Sequence, residues 1–137
     1  MAQKIVKGFK QLVEEARKRI KELSAEDVMA LENDEDVVIV DLRDIRELQR
    51  EGRIPGSFHC PRGMLEFWID PESPYFKDIF GEDKHFIFHC ASGQRSALAA
   101  DVAQAMGLKP VAHIKGGYKA WVAAKGPTEK PKDDEAG

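Results

Sequence analysis

Cysteine is scarce in this sequence, with only Cys60 and Cys90 among 137 residues. Two cysteines cannot form the disulfide framework of a small secreted protein, so a reducing, cytoplasmic compartment is expected. No apolar run approaches the ~20 residues that span a bilayer, and residues 1–7 contain no apolar core of an export signal. These absences predict a protein that is neither secreted nor embedded in a membrane.

An excess of basic residues is missing as well. The chain has 21 Lys and Arg against 24 Asp and Glu, a formal net charge of -3, so nucleic acid is not an expected partner. An anionic substrate therefore needs a locally positive site. The apolar share of 42% and the charged share of 33% are typical of a folded globular protein, and the length is sufficient for one hydrophobic core.

The apolar pattern divides the chain into an N-terminal helix, an α/β domain and a polar tail. Ile5, Phe9 and Val13 recur at helical spacing, which predicts an amphipathic helix over 4–19, within an N-terminal segment 1–20 that packs on the domain. Residues 127–137 are rich in Pro, Lys, Asp and Glu and are predicted to be disordered. Between these lies the domain, 21–126. Its strands are predicted at 37–40, 58–60, 85–89 and 111–114, and its helices at 25–31, 44–50, 96–106 and 117–124. Residues 20–23 either end the first helix or form a short strand.

Strands that alternate with helices at short intervals favour an α/β fold with a parallel sheet covered on both faces. The four consecutive β-branched residues 37–40 are typical of a strand buried on both sides. In such sheets, ligands bind beyond the carboxyl ends of the strands. Three polar segments are predicted there: residues 41–43, residues 59–61 and the loop that starts at Cys90.

The loop from Cys90 to Arg95 follows a buried strand and precedes a helix of small residues. Free amides and the dipole at a helix N-terminus stabilise the negative charge of a thiolate, and Arg95 adds a fixed positive charge. Ala91, Ser92 and Gly93 are small enough for the backbone to curl around the sulfur with its amides inward. This pattern predicts a nucleophilic cysteine that forms a covalent intermediate, rather than an inert buried thiol.

The length of this loop separates two reactions. A His-Cys pair followed by a short loop and Arg-Ser is also similar to the cysteine-phosphatase signature, which has five residues between Cys and Arg. Here four residues, 91–94, separate Cys90 from Arg95. A shorter loop makes a tighter ring of amides, which suits one sulfur atom better than a tetrahedral phosphate group. Sulfur transfer is therefore favoured over a phosphatase or arsenate reductase activity.

Four motifs in a fixed order resemble the rhodanese homology family. The first is Asp41-Leu42-Arg43 followed by Glu47, and the second is the turn from Arg53 to Ser57. The third is the six-residue loop that starts at Cys90, and the fourth is the Gly-Gly and Trp motif within residues 114–121. The segment 61–68 and the N-terminal helix are similar to a single-domain bacterial-type subgroup.

This resemblance implies a three-layer domain with a central, mostly parallel five-stranded sheet between two layers of helices. It also implies a sulfurtransferase in which Cys90 carries sulfane sulfur as a persulfide. The donor is a small anion, thiosulfate or a persulfide, and the acceptor is cyanide, a thiol or a protein cysteine. The residues implied to bind substrate are Ala91, Ser92, Gly93, Gln94, Arg95 and Ser96. Asp41 and Arg43 are expected to support the loop as an ion pair, and Arg62 and Trp68 either line the pocket or belong to the core.

Three questions stay open at this level. The intact loop does not distinguish a thiosulfate-type enzyme from a persulfide carrier that delivers sulfur to a partner protein. Cys60 is either a resolving thiol for Cys90 or, as favoured here, a small buried residue. The four histidines show no metal-ligand spacing, so neither a metal nor another cofactor is expected. Gln94 borders the entrance and leaves the identity of donor and acceptor undetermined.

Overall fold

A sheet of five parallel strands forms the centre of the molecule in the computed structural model, which describes residues 2–130. The strand order is β1-β5-β4-β2-β3, and every neighbouring pair is parallel. The predicted α/β fold is confirmed, and the sheet is wholly rather than mostly parallel. Of residues 20–23, Ile20 caps the first helix and the other three form the first edge strand of the sheet. The strands are β1 (Lys21–Leu23), β2 (Val37–Asp41), β3 (Phe58–His59), β4 (His85–His89) and β5 (Val111–Ile114).

Helices cover both faces of the sheet. Helices α1, α4 and α5 bury residues such as Val13, Leu65 and Ala100 on one face, and α2 and α6 bury Val28 and Trp121 on the other. Single turns of 3-10 helix occupy Arg62–Met64 and Asp78–Gly81. The helices are α1 (Phe9–Arg19), α2 (Ala25–Met29), α3 (Ile45–Glu51), α4 (Leu65–Ile69), α5 (Gln94–Met106) and α6 (Gly117–Ala123).

The central strands are apolar at consecutive positions because both of their faces are covered. Along β4, Phe86 and Phe88 face the core beneath α1, α4 and α5, whereas Ile87 faces the core beneath α2 and α6. Side chains alternate between the two faces of a strand, so a continuous apolar run supplies both cores at once. This alternation also assigns a face to each polar residue at the strand ends.

Helix α1 is shorter than its apolar pattern predicts. It begins at Phe9 rather than Lys4, because Gly8 precedes it in an extended conformation and glycine is a poor helix former. Ile5 and Val6 lie outside the helix and are 75% and 95% exposed, so they do not join the core. The helix packs on α5, where Arg19 forms a two-bonded ion pair with Asp101 at 2.6 and 2.8 Å.

The first residues of the predicted disordered tail are ordered. Arg53 and Glu129 exchange two backbone hydrogen bonds of 2.8 and 2.9 Å, and the indole of Trp121 donates to the carbonyl of Pro127 at 2.8 Å. A polar composition concealed these backbone contacts, which do not depend on side-chain type. The part of the predicted tail at 131–137 lies outside the described residues.

Candidate functional site

Cys90 lies directly after β4, where its loop turns into α5. Its side chain is 1% exposed. Gly93 precedes the first residue of α5 with a φ of +101°, in the left-handed region that favours glycine, and this turn folds the backbone over the sulfur. Helix α5 has 13 residues and begins at Gln94, two residues earlier than the sequence predicts.

Two backbone amides point at the sulfur. The N–H of Gly93 donates to Cys90 Sγ at an N···S distance of 3.2 Å, and the N–H of Ser96 donates at 3.4 Å. The amides of Gln94 and Arg95, in the first turn of α5, have no acceptor within the helix. The loop therefore presents hydrogen-bond donors and the positive end of a helix dipole to the sulfur, an arrangement that stabilises negative charge there.

Helix α6 holds the loop carbonyls away from the sulfur. The N–H groups of Tyr118 and Lys119 donate to the carbonyls of Cys90 and Ala91 at 2.8 and 3.1 Å. Gly117 makes this approach possible, because a Cβ at that position would lie 2.5 Å from the Cys90 carbonyl oxygen. With its carbonyls turned towards α6, the loop has its amides free to face inward.

Arg95 points to Glu47 of α3. Its two terminal nitrogens donate to the two carboxylate oxygens at 2.8 and 3.0 Å. Glu47 also accepts from the N–H of Asp44 at 3.1 Å, in a capping box at the start of α3. The hydrogen bonds from Arg95 hold the pKa of Glu47 below its ordinary value. The loop is thus anchored to the helix that follows β2.

A chain of side-chain contacts leads from the sulfur to β5 and β1. Cys90 Sγ lies 3.6 Å from Ser96 Oγ, which lies 2.9 Å from Nδ1 of His113. The other ring nitrogen, Nε2, lies 2.8 Å from Oε2 of Glu22. Glu22 in turn accepts two hydrogen bonds from Arg17 of α1, at 3.0 and 3.2 Å. His113 and Glu22 are not among the residues predicted for the site.

This pairing is visible in the sheet register, since Glu22 and His113 are direct neighbours across β1 and β5. Burial is the largest influence on His113 and leaves its pKa below the ordinary value, despite the opposing effect of Glu22. Partial burial opposes the charge of Glu22, but hydrogen bonds from Arg17 and His113 outweigh it and lower its pKa. At neutral pH the pair is therefore a neutral imidazole and a carboxylate.

An open pocket of about 310 Å³ adjoins the loop on this side. Ser92 and Gln94 are exposed at its edge, where the sequence predicts substrate contacts. The far wall comes from the N-terminal elements and β5. The lining residues outside the loop are Val13, Arg17, Glu22, His113, Lys115 and Gly116.

Asp41 and Arg43 form a buried ion pair beyond the end of β2. Arg43 donates to the two carboxylate oxygens at 3.0 and 2.8 Å and to the carbonyl of Gly52 at 2.9 Å, and its guanidinium lies 4.1 Å from the ring centre of Tyr118. Burial opposes ionisation of Asp41, but His89 and the hydrogen bonds from Arg43 outweigh it and lower its pKa. These contacts join the end of β2 to α6, and the role of the pair in supporting the loop stays a prediction.

Arg62 and Trp68 have partners away from the loop. Arg62 donates to Glu66 at 2.9 Å, and the half-buried Trp68 packs edge-on against Phe58 with the ammonium of Lys77 4.8 Å from its ring centre. Arg62 lies in the 3-10 turn that precedes α4, and Trp68 lies in α4 itself. Of the two roles considered, the structure assigns Trp68 to the edge of the core and Arg62 to a helix-surface ion pair.

Cys60 lies two strands from Cys90. Both follow residues that are in register with Asp41, on either side of β2. With about 4.8 Å between neighbouring strands, their backbones are roughly 10 Å apart, beyond the reach of a disulfide without backbone movement. Burial raises the pKa of Cys60 to about 12. Cys60 is thus a protonated core residue, as favoured from the sequence.

Two further observations concern residues 2–130. No group of three or more His, Cys, Asp or Glu side chains in this range is arranged to hold a metal ion. Among the helices described here, none combines the length and the apolar character needed to cross a membrane.

Known proteins are similar to this chain. The chain is 29% identical over 109 residues to thiosulfate sulfurtransferase/rhodanese-like domain-containing protein 3 of Mus musculus, covering 76% of this chain and 69% of the relative. It is 32% identical over 106 residues to a rhodanese domain-containing protein of Drosophila melanogaster, covering 74% and 96%.

A solved structure from Rhodopseudomonas palustris CGA009 is more similar still. It is 60% identical, superposes with a TM-score of 0.92, and the alignment covers 94% of this chain and 99% of that one. That protein is described as of unknown function and a possible tyrosine phosphatase. The profile of the rhodanese-like domain matches residues 24–124, which include β2 to β5, the Cys90 loop and α6. The chain therefore belongs to the rhodanese-like domain family.

Proposed function

We propose that this protein is a sulfurtransferase in which Cys90 takes sulfane sulfur from thiosulfate or a persulfide donor and passes it to a thiophilic acceptor. The observation that carries this proposal is the position of Cys90 Sγ. It lies at the start of a 13-residue helix and accepts hydrogen bonds from the amides of Gly93 and Ser96. Such a cradle stabilises a thiolate before the reaction and a persulfide after it.

The reaction has two half-reactions. The Cys90 thiolate attacks the outer sulfur of thiosulfate, a new S–S bond forms, and the S–S bond of thiosulfate breaks so that sulfite leaves with its electron pair. The acceptor then attacks the outer sulfur of the persulfide and regenerates the thiolate. Sulfite needs no proton to leave, so the first step requires no general acid. Two products released in turn predict ping-pong kinetics.

Two amides of the loop suit the persulfide stage. The N–H groups of Gln94 and Arg95 belong to the first turn of α5 and have no helical acceptor. We expect the outer sulfur of a persulfide, which lies beyond Cys90 Sγ, to be stabilised by these free donors. The exposed side chains of Ser92 and Gln94 flank the mouth of the loop. A small anionic donor therefore meets donors and no acidic side chain of the loop itself.

Dephosphorylation is the competing reaction, given the similarity to a possible tyrosine phosphatase. A guanidinium that binds phosphate uses its paired N–H groups to hold two phosphate oxygens. Arg95 already directs both terminal nitrogens to Glu47, at 2.8 and 3.0 Å. The end-on fork of its guanidinium is occupied, and the loop has one residue fewer than the phosphatase signature. Both features favour transfer of a single sulfur atom.

The test is intact mass after incubation with thiosulfate, followed by cyanide. Wild type is expected to gain the mass of one sulfur atom and to lose it to cyanide. Cys90→Ser is expected to gain nothing. Cys60→Ser is the matched control, because it removes the other thiol from the core and leaves the loop intact, and it is expected to behave like wild type.

Other outcomes separate the alternatives. A wild-type protein that gains sulfur but releases it far faster to a protein thiol than to cyanide is a carrier rather than a thiosulfate:cyanide enzyme. Hydrolysis of an aryl phosphate that depends on Cys90, without sulfur uptake from thiosulfate or a persulfide donor, would refute the proposal in favour of phosphatase activity.

A further inference from the structure

The sulfur of Cys90 is joined to two residues outside the loop by one continuous line of side-chain contacts. We infer that Ser96, His113 and Glu22 form a proton relay that takes the thiol proton of Cys90 and holds it on His113. The inference rests on the proposed function only in the identity of the nucleophile. Glu22 lies on β1, an edge strand of the central sheet, just before residues 24–124 that the family profile matches.

With Glu22 as a carboxylate and His113 as a neutral imidazole, the contacts give a direction to each hydrogen bond of the resting state. Glu22 is a carboxylate, so it accepts, and His113 donates to it through Nε2–H at 2.8 Å. A neutral imidazole that is protonated on Nε2 has an unprotonated Nδ1, which accepts from the hydroxyl of Ser96 at 2.9 Å. The Ser96 oxygen then has a lone pair to accept from the Cys90 S–H at 3.6 Å.

Ionisation of the thiol reverses two of these bonds. The S–H bond of Cys90 breaks and its electron pair stays on sulfur. Ser96 Oγ takes this proton and gives its own to His113 Nδ1. The imidazolium then donates to Ser96 through Nδ1 and to Glu22 through Nε2, while the Ser96 hydroxyl donates to the thiolate. No atom changes oxidation state, and the thiolate gains a hydrogen bond in addition to the amides of Gly93 and Ser96.

The surroundings of His113 suit a proton that is held briefly. The charged groups that face it are Glu22 on β1, Arg17 on α1 and, through Ser96, Cys90 itself, and Lys115 borders the same pocket. Its side chain is 1% exposed, and burial keeps the pKa of His113 below its ordinary value, which favours the return of the proton. Glu22 and Arg17 line the open pocket, which provides a route for the proton to solvent.

The sheet register excludes the other nearby histidine from this role. His113 is opposite Phe88, and side chains alternate along β4, so His113 shares the face of Cys90. His89 lies on the opposite face, and its Nε2 is 3.6 Å from Asp41, too far for a hydrogen bond. His113 is a positioning residue for the proposed reaction, since it reaches the sulfur through Ser96.

The experiment measures the Cys90 thiolate directly, by its ultraviolet absorbance as a function of pH. Each protein is compared with the same protein carrying Cys90→Ser, which cancels tyrosine absorbance, and Cys60 stays protonated up to a pKa of about 12. His113→Gln and Glu22→Gln are expected to raise the midpoint of Cys90 ionisation by about one pH unit, a tenfold loss of thiolate below the midpoint. His85→Gln is the matched control at the far end of β4, and its midpoint is expected to equal that of wild type.

Folded His113→Gln and Glu22→Gln proteins with the wild-type midpoint would overturn the relay. If either variant fails to fold, nitrogen NMR of the wild-type protein decides instead. The His113 ring is then expected to keep its second proton to a higher pH in wild type than in Cys90→Ser, because the thiolate stabilises the imidazolium. Equal ring titrations in the two proteins would refute the relay. Neither measurement uses a sulfur donor, so failure of the proposed sulfur transfer is detected separately.

Discussion

Replacement of Asp41 by Asn tests how much the buried ion pair contributes to the stability of the domain. Asp41 and Arg43 are both fully buried, and Arg43 donates two hydrogen bonds to the carboxylate. Asn keeps the shape of the side chain but removes its charge, which leaves the Arg43 guanidinium without a buried counter-ion. The remaining contacts of Arg43 are the Gly52 carbonyl, the Tyr118 ring and Glu51 at 3.8 Å.

Breaking a buried pair by removing one partner costs about 3–5 kcal/mol. Asn can still accept one hydrogen bond, so we expect the lower part of this range, about 3 kcal/mol, in the free energy of unfolding. For a domain of this size the corresponding fall in Tm is roughly 10 °C. Such a loss is a large fraction of the roughly 5–15 kcal/mol that stabilises a typical domain.

The assay is urea unfolding at pH 7, followed by the fluorescence of the buried Trp121. Glu66→Gln is the matched control, because it makes the same carboxylate-to-amide change in a partly exposed pair with Arg62 and is expected to cost a few tenths of a kcal/mol. Asp41→Leu combined with Arg43→Met removes both charges and is expected to destabilise less than the single change. An Asp41→Asn protein as stable as Glu66→Gln would refute the reasoning.

Three further predictions concern the loop, the second cysteine and pH. Gly117→Ala places a Cβ 2.5 Å from the Cys90 carbonyl oxygen at a φ of +63°, which displaces the loop. Sulfur uptake, measured by intact mass, is expected to fall at least tenfold, which corresponds to about 1.4 kcal/mol. Unchanged uptake would contradict the packing argument. Peroxide treatment is expected to produce no Cys60–Cys90 disulfide in non-reducing peptide mapping, because the two backbones are roughly 10 Å apart. Burial lowers the pKa of His89 and His113, so as pH falls the unfolded chain binds protons at these residues before the folded chain does. Their contribution to stability is complete above the unfolded pKa of about 6.5 and is lost as pH falls below it. Urea unfolding from pH 8 to pH 5 will measure this loss, and a stability that rises on acidification would contradict it.

The elements that the sequence predicts well are those with a local signal. The apolar runs of β2 and β4 and the loop from Cys90 to Arg95 are contiguous, so their identity and order follow from the printed residues. The predicted start of α1 is wrong because Ile5 fits the helical period but meets no core. Period alone does not show whether an apolar face has a partner to pack against.

Contacts between distant segments were beyond sequence reasoning. The backbone pairing of Arg53 with Glu129 joins residues 76 positions apart, and neither residue carries a strand pattern. The contact of Glu22 with His113 spans 91 positions. It follows from the strand order, in which the short first strand lies beside the last, and no pattern within either strand indicates that neighbour.

Two carboxylates of the sheet, Asp41 and Glu22, have histidines as register partners, with different consequences for each. Asp41 and His89 are register partners across β2 and β4, as Glu22 and His113 are across β1 and β5. In the first pair Arg43 takes both carboxylate oxygens, so the acid is committed to a buried charge pair and the imidazole is left 3.6 Å away.

In the second pair Nε2 of His113 lies 2.8 Å from the carboxylate of Glu22, and its Nδ1 lies 2.9 Å from the hydroxyl of Ser96. Neighbouring residues thus distinguish the two pairs. In the first pair Asp41 is bound to the buried Arg43, and in the second pair Ser96 connects His113 to Cys90. Alternation along β4 and the pairing of His113 with Phe88 place His113, and not His89, on the face of Cys90. We therefore expect the proton chemistry of the site to depend on β1 and β5, and the support of the loop to depend on β2.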